Sequence, residues 1–193
     1  MVMPLDSILR NNKEKQFELD FFPHANALYN FAFHLTYNDA DADDLVQETF
    51  LKAFKYIDHY QAGTNAKAWL FKILKNGFIN QYRKKSKAPN IVDYEDIIAF
   101  QDFDDESDQK KDNDLRVEIF DNLIGDEVSL ALNTLPVDFK TVILLCDIEG
   151  FTYEEIAKII DIPVGTVRSR LHRARNLLKE KLEKYALSMG FKK

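Results

Sequence analysis

From Phe151 to Lys184 the chain reads FTYEEIAKII, then DIPVG, then TVRSRLHRARNLLKEKLEK. Apolar residues recur at helical spacing on both sides of a break long enough only for a tight joint. Thr152, followed three residues later by Glu155, has the form of a capping box and opens the first helix. Pro163 or a neighbour opens the second, which carries four arginines between Arg168 and Arg175 and no acid. Two helices joined in this way form a helix-turn-helix, whose second helix enters the DNA major groove.

Winding that second helix at about 100° per residue separates its faces. Val167, Leu171, Ala174 and Leu178 fall together and are expected to pack inward. Thr166, Ser169, His172, Arg173 and Asn176 fall opposite, where base edges would be read. Arg173 can donate two hydrogen bonds to a guanine edge, and Ser169 can serve either base type. Arg168, Arg170 and Arg175 lie on the flanks, where phosphates would be gripped. The plainer alternative is a solvated basic helix with a leucine stripe, and His172 alone has the character of a surface histidine.

A net charge of -6 sits poorly with DNA binding until it is divided along the chain. Residues 1–85 hold 10 acidic and 11 basic side chains, residues 86–125 hold 12 and 4, and residues 126–193 hold 10 and 11. The acidity is therefore confined to the middle. Within the near-neutral ends the cations cluster: Lys67 to Lys87 contains seven and no acid. Clustered base on a balanced background suits a phosphate-facing surface. The middle stretch DDESDQKKDND is too polar to fold alone. Ile97, Ile98 and Phe100 just before it are able to dock on something.

The N-terminal part has no alternating strand pattern and reads as helical. Ala25, Leu28, Phe31, Ala32 and Leu35 share one stripe. Asn38 or Asp39 can cap the next helix, with Asp41 and Asp43 in its first turn. Val46, Phe50, Ala53, Phe54 and Ile57 form its expected apolar stripe, with Asp44, Gln47 and Glu48 elsewhere. A third helix is expected from about Ala66 to Tyr82. Leu70, Leu74, Gly77, Phe78 and Gln81 make its apolar side, and Trp69, Lys72, Asn76, Asn80 and Arg83 line another. An aromatic ring with amides and cations suits unpaired bases, which stack and are read at their edges. The preceding loop around Gly63, with Thr64 and Asn65, can accept a base drawn out of the stack. Read as structure alone, the same stripe makes Trp69 a core anchor and its lysines solubilising.

The lone Cys146 rules out an intrachain disulfide and a Cys-x-x-Cys metal site. His24, His34, His59 and His172 are scattered without ligand spacing, so neither a metal nor a cofactor is expected. There is no glycine-rich phosphate loop. The start of the chain lacks the apolar core of a signal peptide, and the longest apolar run, VILLC, is too short to span a bilayer. A cytoplasmic protein without membrane insertion is expected.

DADDLVQETFLKAFKYIDHY with GTNAKAWLFKILKNGFINQYRKK resembles region 2 of bacterial RNA polymerase sigma factors. LNTLPVDFKTVILLCDIEGFTYEEIAKIIDIPVGTVRSRLHRARNLLKEKL resembles region 4. The combination is similar to the extracytoplasmic-function (ECF) group of the sigma-70 class. The resemblance implies an all-α fold of two small helical domains, 17–85 and 126–187, joined by an acidic linker, 86–125. It implies two partners, core RNA polymerase and promoter DNA, and no enzymatic activity. Asp44, Gln47 and Glu48 would dock on the clamp coiled coil of the largest polymerase subunit. Gly63, Thr64, Asn65, Trp69, Lys72, Asn76, Asn80 and Arg83 would hold the unpaired -10 strand, and the last helix would read the -35 element. The acidic middle would thread toward the RNA exit path. An anti-sigma factor is a further implied partner. GTNAKAWLFKILKNGFINQYRKK and KAPNIVDYEDI are also similar to a redox-responsive subgroup held inactive by a zinc-binding anti-sigma protein. Two other readings of the residues stay open: a helix-turn-helix regulator with a helical sensor domain, and a helical enzyme.

Overall fold

A computed structural model of the chain describes residues 5–85 and 126–188, and all regular structure among them is helical. The expected acidic linker, its Ile97, Ile98 and Phe100 patch and the KAPNIVDYEDI string lie outside the described residues. The described residues form two compact units, 5–32 with 39–85 and 33–38 with 126–188.

The first unit begins with α1 (Leu5–Asp20), a 3-10 turn at Phe22–His24 and the first part of α2 (Ala25–Thr36). It continues with α3 (Asp39–Lys55), a 3-10 turn at Ile57–His59 and α4 (Ala66–Lys85). Leu28, Phe31 and Ala32 of α2 are buried, as their spacing predicts. Phe31 meets Phe71 of α4 with ring centroids 5.0 Å apart. Gly77 lets α4 approach α3 closely, because a β-carbon there would stand 3.1 Å from Leu45 Cδ1.

The buried face of α3 is Ala42, Leu45, Thr49 and Ala53; Ala53 and, just beyond the helix, Ile57 are buried as expected, while Leu45 and Thr49 take the deep positions expected of Val46 and Phe50. Phe50 is half-buried and Phe54 is exposed. The reason is α1, whose charged sequence gives little helical signal. Its Phe17 sets its ring edge-on to Phe50 and Phe54, both at 5.6 Å, and Lys13 pairs with Asp58. Phe50 and Phe54 therefore serve the seam with α1, while the deeper face meets α4.

The second unit contains α5 (Asp126–Asn133), α6 (Val137–Ile143), α7 (Tyr153–Ile160) and α8 (Val164–Ser188). Pro136 precedes α6, and its carbonyl accepts from the Phe139 and Lys140 amides at 2.9 Å. After α6 the chain widens into a π turn at Leu144–Ile148, closed by Glu149 N–H donating to Leu144 O. Gly150 then takes φ +75, a conformation glycine adopts without strain. Val142, Leu144, Leu145, Ile156, Ile159, Val167, Leu171 and Ala174 are buried and make the core. Each fully buried large aliphatic side chain contributes about 1.5–3 kcal/mol before chain entropy is counted.

Candidate nucleic-acid interface

The joint between α7 and α8 is built from local chemistry. Thr152 N–H donates to Glu155 Oε2 at 2.8 Å and Glu155 N–H donates to Thr152 Oγ1 at 3.2 Å, the reciprocal capping box the sequence predicts. Asp161 ends α7 in the left-handed region at φ 56, which short polar side chains tolerate. The Pro163 carbonyl accepts from the Thr166 and Val167 amides at 2.8 and 3.1 Å and starts α8. The connection is the tight turn of a helix-turn-helix.

On α8, Val167, Leu171 and Ala174 face inward as expected, and Leu178 is half-buried. Ser169, His172, Arg173 and Asn176 are exposed and Thr166 is half-buried. Ser169 Oγ donates to Thr166 O at 3.0 Å, and Asn176 Nδ2 lies 3.5 Å from His172 Nδ1. Arg173 carries its charge to solvent on this face.

The flanking arginines have partners within their own unit. Arg175 grips Asp147 with two nitrogens, its Nε donating to Oδ2 at 3.0 Å. The neighbouring carboxylate pushes the guanidinium pKa further up. Arg170 pairs with Asp138 at 3.0 Å, and Arg168 lies 5.9 Å over the Tyr153 ring. Arg170 and Arg175 thus fasten α8 to the start of α6 and to the π turn, which fixes the angle of the exposed face. Part of the donor set of each arginine is therefore shared with a carboxylate of the same unit.

In the first unit the residues before α4 form a defined turn. Thr64 N–H and Thr64 Oγ1 both donate to Gln61 O, at 3.2 and 2.8 Å, and Gly63 takes φ +88. A positive φ at the third position of a β-turn is the requirement that selects glycine. No neighbour lies within 4 Å of a β-carbon built there, so backbone conformation rather than space demands it. Asn65 Oδ1 accepts from Ala68 N–H at 2.9 Å and caps α4, so its carbonyl is already used. Gln61, Ala62 and Gly63 are exposed.

Trp69 is not on the outer stripe. It is 3% exposed and lies against Phe21 at 5.3 Å and Tyr60 at 5.4 Å. Its ring is a core anchor and offers no open face to a base. The helix is wrapped over more than one face, with Ala68, Trp69, Leu70, Phe71, Ile73 and Leu74 all buried. Lys72, Asn76 and Asn80 remain partly accessible, and Lys75 Nζ donates to Asn76 Oδ1 at 3.3 Å. The side chain of Arg83 lies outside the described residues.

On α3, Asp44 and Gln47 are exposed and share a stripe with Leu51, which is 68% exposed. Glu48 is turned toward its own fold: Oε1 pairs with Lys52 at 2.7 Å and Oε2 accepts from Gln81 of α4 at 3.2 Å. The sequence reading missed Tyr60 and Phe21, the rings under the turn. Their signal was an aromatic residue immediately before the Gly-containing break. Among the described residues no His, Cys, Asp and Glu cluster suited to a metal is present, and no helix is long and apolar enough to cross a membrane.

Family models match both units: "Sigma-70 region 2" over residues 22–88 and "Sigma-70, region 4" over residues 125–178. The ECF RNA polymerase sigma factor EcfG of Rhodopseudomonas palustris is 36% identical over 178 residues, covering 91% of this chain and 86% of that protein. The ECF RNA polymerase sigma factor SigE of Mycolicibacterium smegmatis is 35% identical over 165 residues; the match covers 84% of this chain but spans only 60% of that protein. Among solved structures, the sigma factor RpoE of Bartonella quintana, in complex with the anti-sigma factor NepR, superposes with a TM-score of 0.66 at 34% identity. That match covers 88% of this chain and 98% of that one. On the match to both regions and to these relatives, the chain belongs to the ECF group of the sigma-70 factors.

Proposed function

We propose that this chain is a promoter-specificity subunit: it binds core RNA polymerase, directs it to defined promoters and promotes strand opening. The observation that supports this reading is the presence in one chain of two different polar surfaces suited to DNA. One is an exposed polar face on the second helix of a helix-turn-helix, with Ser169, His172, Arg173 and Asn176. The other is a capped turn at Gln61–Thr64 followed by the accessible Lys72, Asn76 and Asn80.

In this reading α8 enters the major groove of the -35 element. Arg173 and Ser169 contact base edges, and His172, Asn176 and Thr166 flank them. The turn and the Asn76 and Asn80 side chains hold the unpaired -10 strand, with Gly63 and Thr64 shaping the turn and Lys72 and Arg83 near the phosphates. Asp44 and Gln47, with Leu51, dock on the polymerase clamp. The three modules follow the boundaries 17–85, 86–125 and 126–187.

The work is done by binding. Extruding a base costs a few kcal/mol, and stacking and edge contacts return roughly 1–3 kcal/mol each. A surface that holds only the open strand shifts the duplex toward opening. No bond is made or broken by the protein and no nucleotide hydrolysis is needed. Such a subunit acts in the cytoplasm, where the polymerase is. The RpoE relative was captured with an anti-sigma factor, and we infer a partner of that kind for this chain too. Run-off transcription with purified core polymerase tests the reading: defined transcripts are expected only when this protein is added. Tight duplex binding by the protein alone, with no transcripts, would instead favour an ordinary helix-turn-helix regulator.

A further inference from the structure

The Gln61–Thr64 turn projects from the first unit at its surface, yet it is held from beneath. Tyr60 is 8% exposed, and its hydroxyl donates to Thr64 O at 3.0 Å. That bond reaches across the turn and joins its far end to the core. The Tyr60 ring is itself fixed: its centroid lies 4.9 Å from Phe21 in an edge-to-face contact and 5.4 Å from Trp69. Phe21 is fully buried and meets Phe17 of α1 edge-on at 5.5 Å. The hydroxyl on this three-ring platform is thus directed at the backbone of the turn.

Packing alone would be served by phenylalanine. A buried tyrosine hydroxyl has to find a partner, and here the partner is a carbonyl of a turn whose shape depends on the positive-φ Gly63. Without the bond, the turn keeps only the contacts to Gln61 O, both of which lie inside the turn itself. We propose that Tyr60 is a positioning residue for capture of the unpaired base: its hydroxyl fixes the turn in the shape that accepts the base before DNA arrives. The inference rests on the reading that this turn holds an extruded -10 base. Preorganisation of this kind improves binding by removing an ordering cost from the binding step.

The test uses holoenzyme reconstituted from core polymerase and the full chain. The probe is a fluorescent single-stranded oligonucleotide carrying the non-template -10 sequence of a promoter mapped by run-off transcription. A matched set replaces one base at a time by an abasic site. Wild-type holoenzyme is expected to bind one abasic member distinctly more weakly than the intact strand. If no abasic member differs, the base-capture reading fails, and the Tyr60 proposal with it.

Where that position exists, Tyr60→Phe should weaken the intact strand by about fivefold, the worth of one net hydrogen bond. Binding of the abasic strand should be unchanged. Equal affinity of Tyr60→Phe and wild type for the intact strand overturns the proposal while leaving base capture standing. Equal weakening of intact and abasic strands, together with a lowered melting temperature, also overturns it, because that is the signature of a merely structural tyrosine.

Discussion

Trp69→Ala should unsettle the core of the first unit rather than act on DNA directly. The Trp69 ring is 3% exposed and lies against both Phe21 and Tyr60. Trp69→Ala removes one ring of that three-ring cluster. Truncating a buried Trp to Ala costs about 3–5 kcal/mol, against a total of roughly 5–15 kcal/mol for a small domain. At 4–8 °C per kcal/mol for a unit of this size, the melting transition should fall by roughly 12–40 °C. Trp69→Phe keeps a ring in the cluster and should cost only about 1–2 kcal/mol. Thermal melts of the full chain by far-UV circular dichroism measure both. Trp69 is also the only tryptophan in the sequence, so wild-type fluorescence reports on this unit alone. If Trp69→Ala melts within a few degrees of wild type while promoter opening is lost, the ring is a base platform after all and the packing argument is wrong.

Arg173→Ala should weaken -35 recognition by about 1–3 kcal/mol, between roughly 5- and 150-fold, and relax preference at one base pair; holoenzyme binding to promoter variants measures this, and a uniform loss across all sequences would instead mark Arg173 as a phosphate contact. Cys146 is half-buried, and burial and Asp147 push its thiol up against the opposing pull of Arg175. It should stay protonated at neutral pH and react with iodoacetamide several-fold more slowly than free cysteine, so labelling at the free-thiol rate would contradict this. The His24 pKa is lowered from 6.5, by burial first and by the Lys67 charge second, with Asp20 opposing. Above pH 6.5 the ring is neutral in both states. As the pH falls through 6.5 the unfolded chain takes up its proton first, so stability drops until the folded ring also protonates. Urea denaturation from pH 7.5 to 5 should show that loss in wild type and less of it in His24→Gln; parallel profiles would refute it.

The parts of the fold that were legible in the sequence are those fixed by neighbours in the chain. The capping box at Thr152 and Glu155, the start of α8 after Pro163 and the inward Val167, Leu171 and Ala174 all depend on residues within a turn or two. What was not legible depends on partners far along the chain. On α3 the spacing places Ala53 and Ile57 correctly but not Phe50 and Phe54, because α1, with its weak apolar pattern, supplies a second neighbour through Phe17. Trp69 was drawn onto the outer stripe of α4 because a helical wheel does not count how many elements surround a helix. Arg170, Arg175 and Glu48 looked like free surface charges, yet their partners Asp138, Asp147 and Gln81 come from other elements. Long-range ion pairs and hydrogen bonds of that kind leave no periodic trace.

The most direct test of the whole account is permanganate reactivity of thymines in the -10 region of a promoter mapped for this protein. With core polymerase and the wild-type chain those thymines should become reactive, and with Asn76→Ala and Asn80→Ala combined they should react far less while duplex binding upstream persists. Thymines that stay unreactive with the wild-type holoenzyme, at every promoter it is found to occupy, would contradict the claim that this chain traps melted DNA.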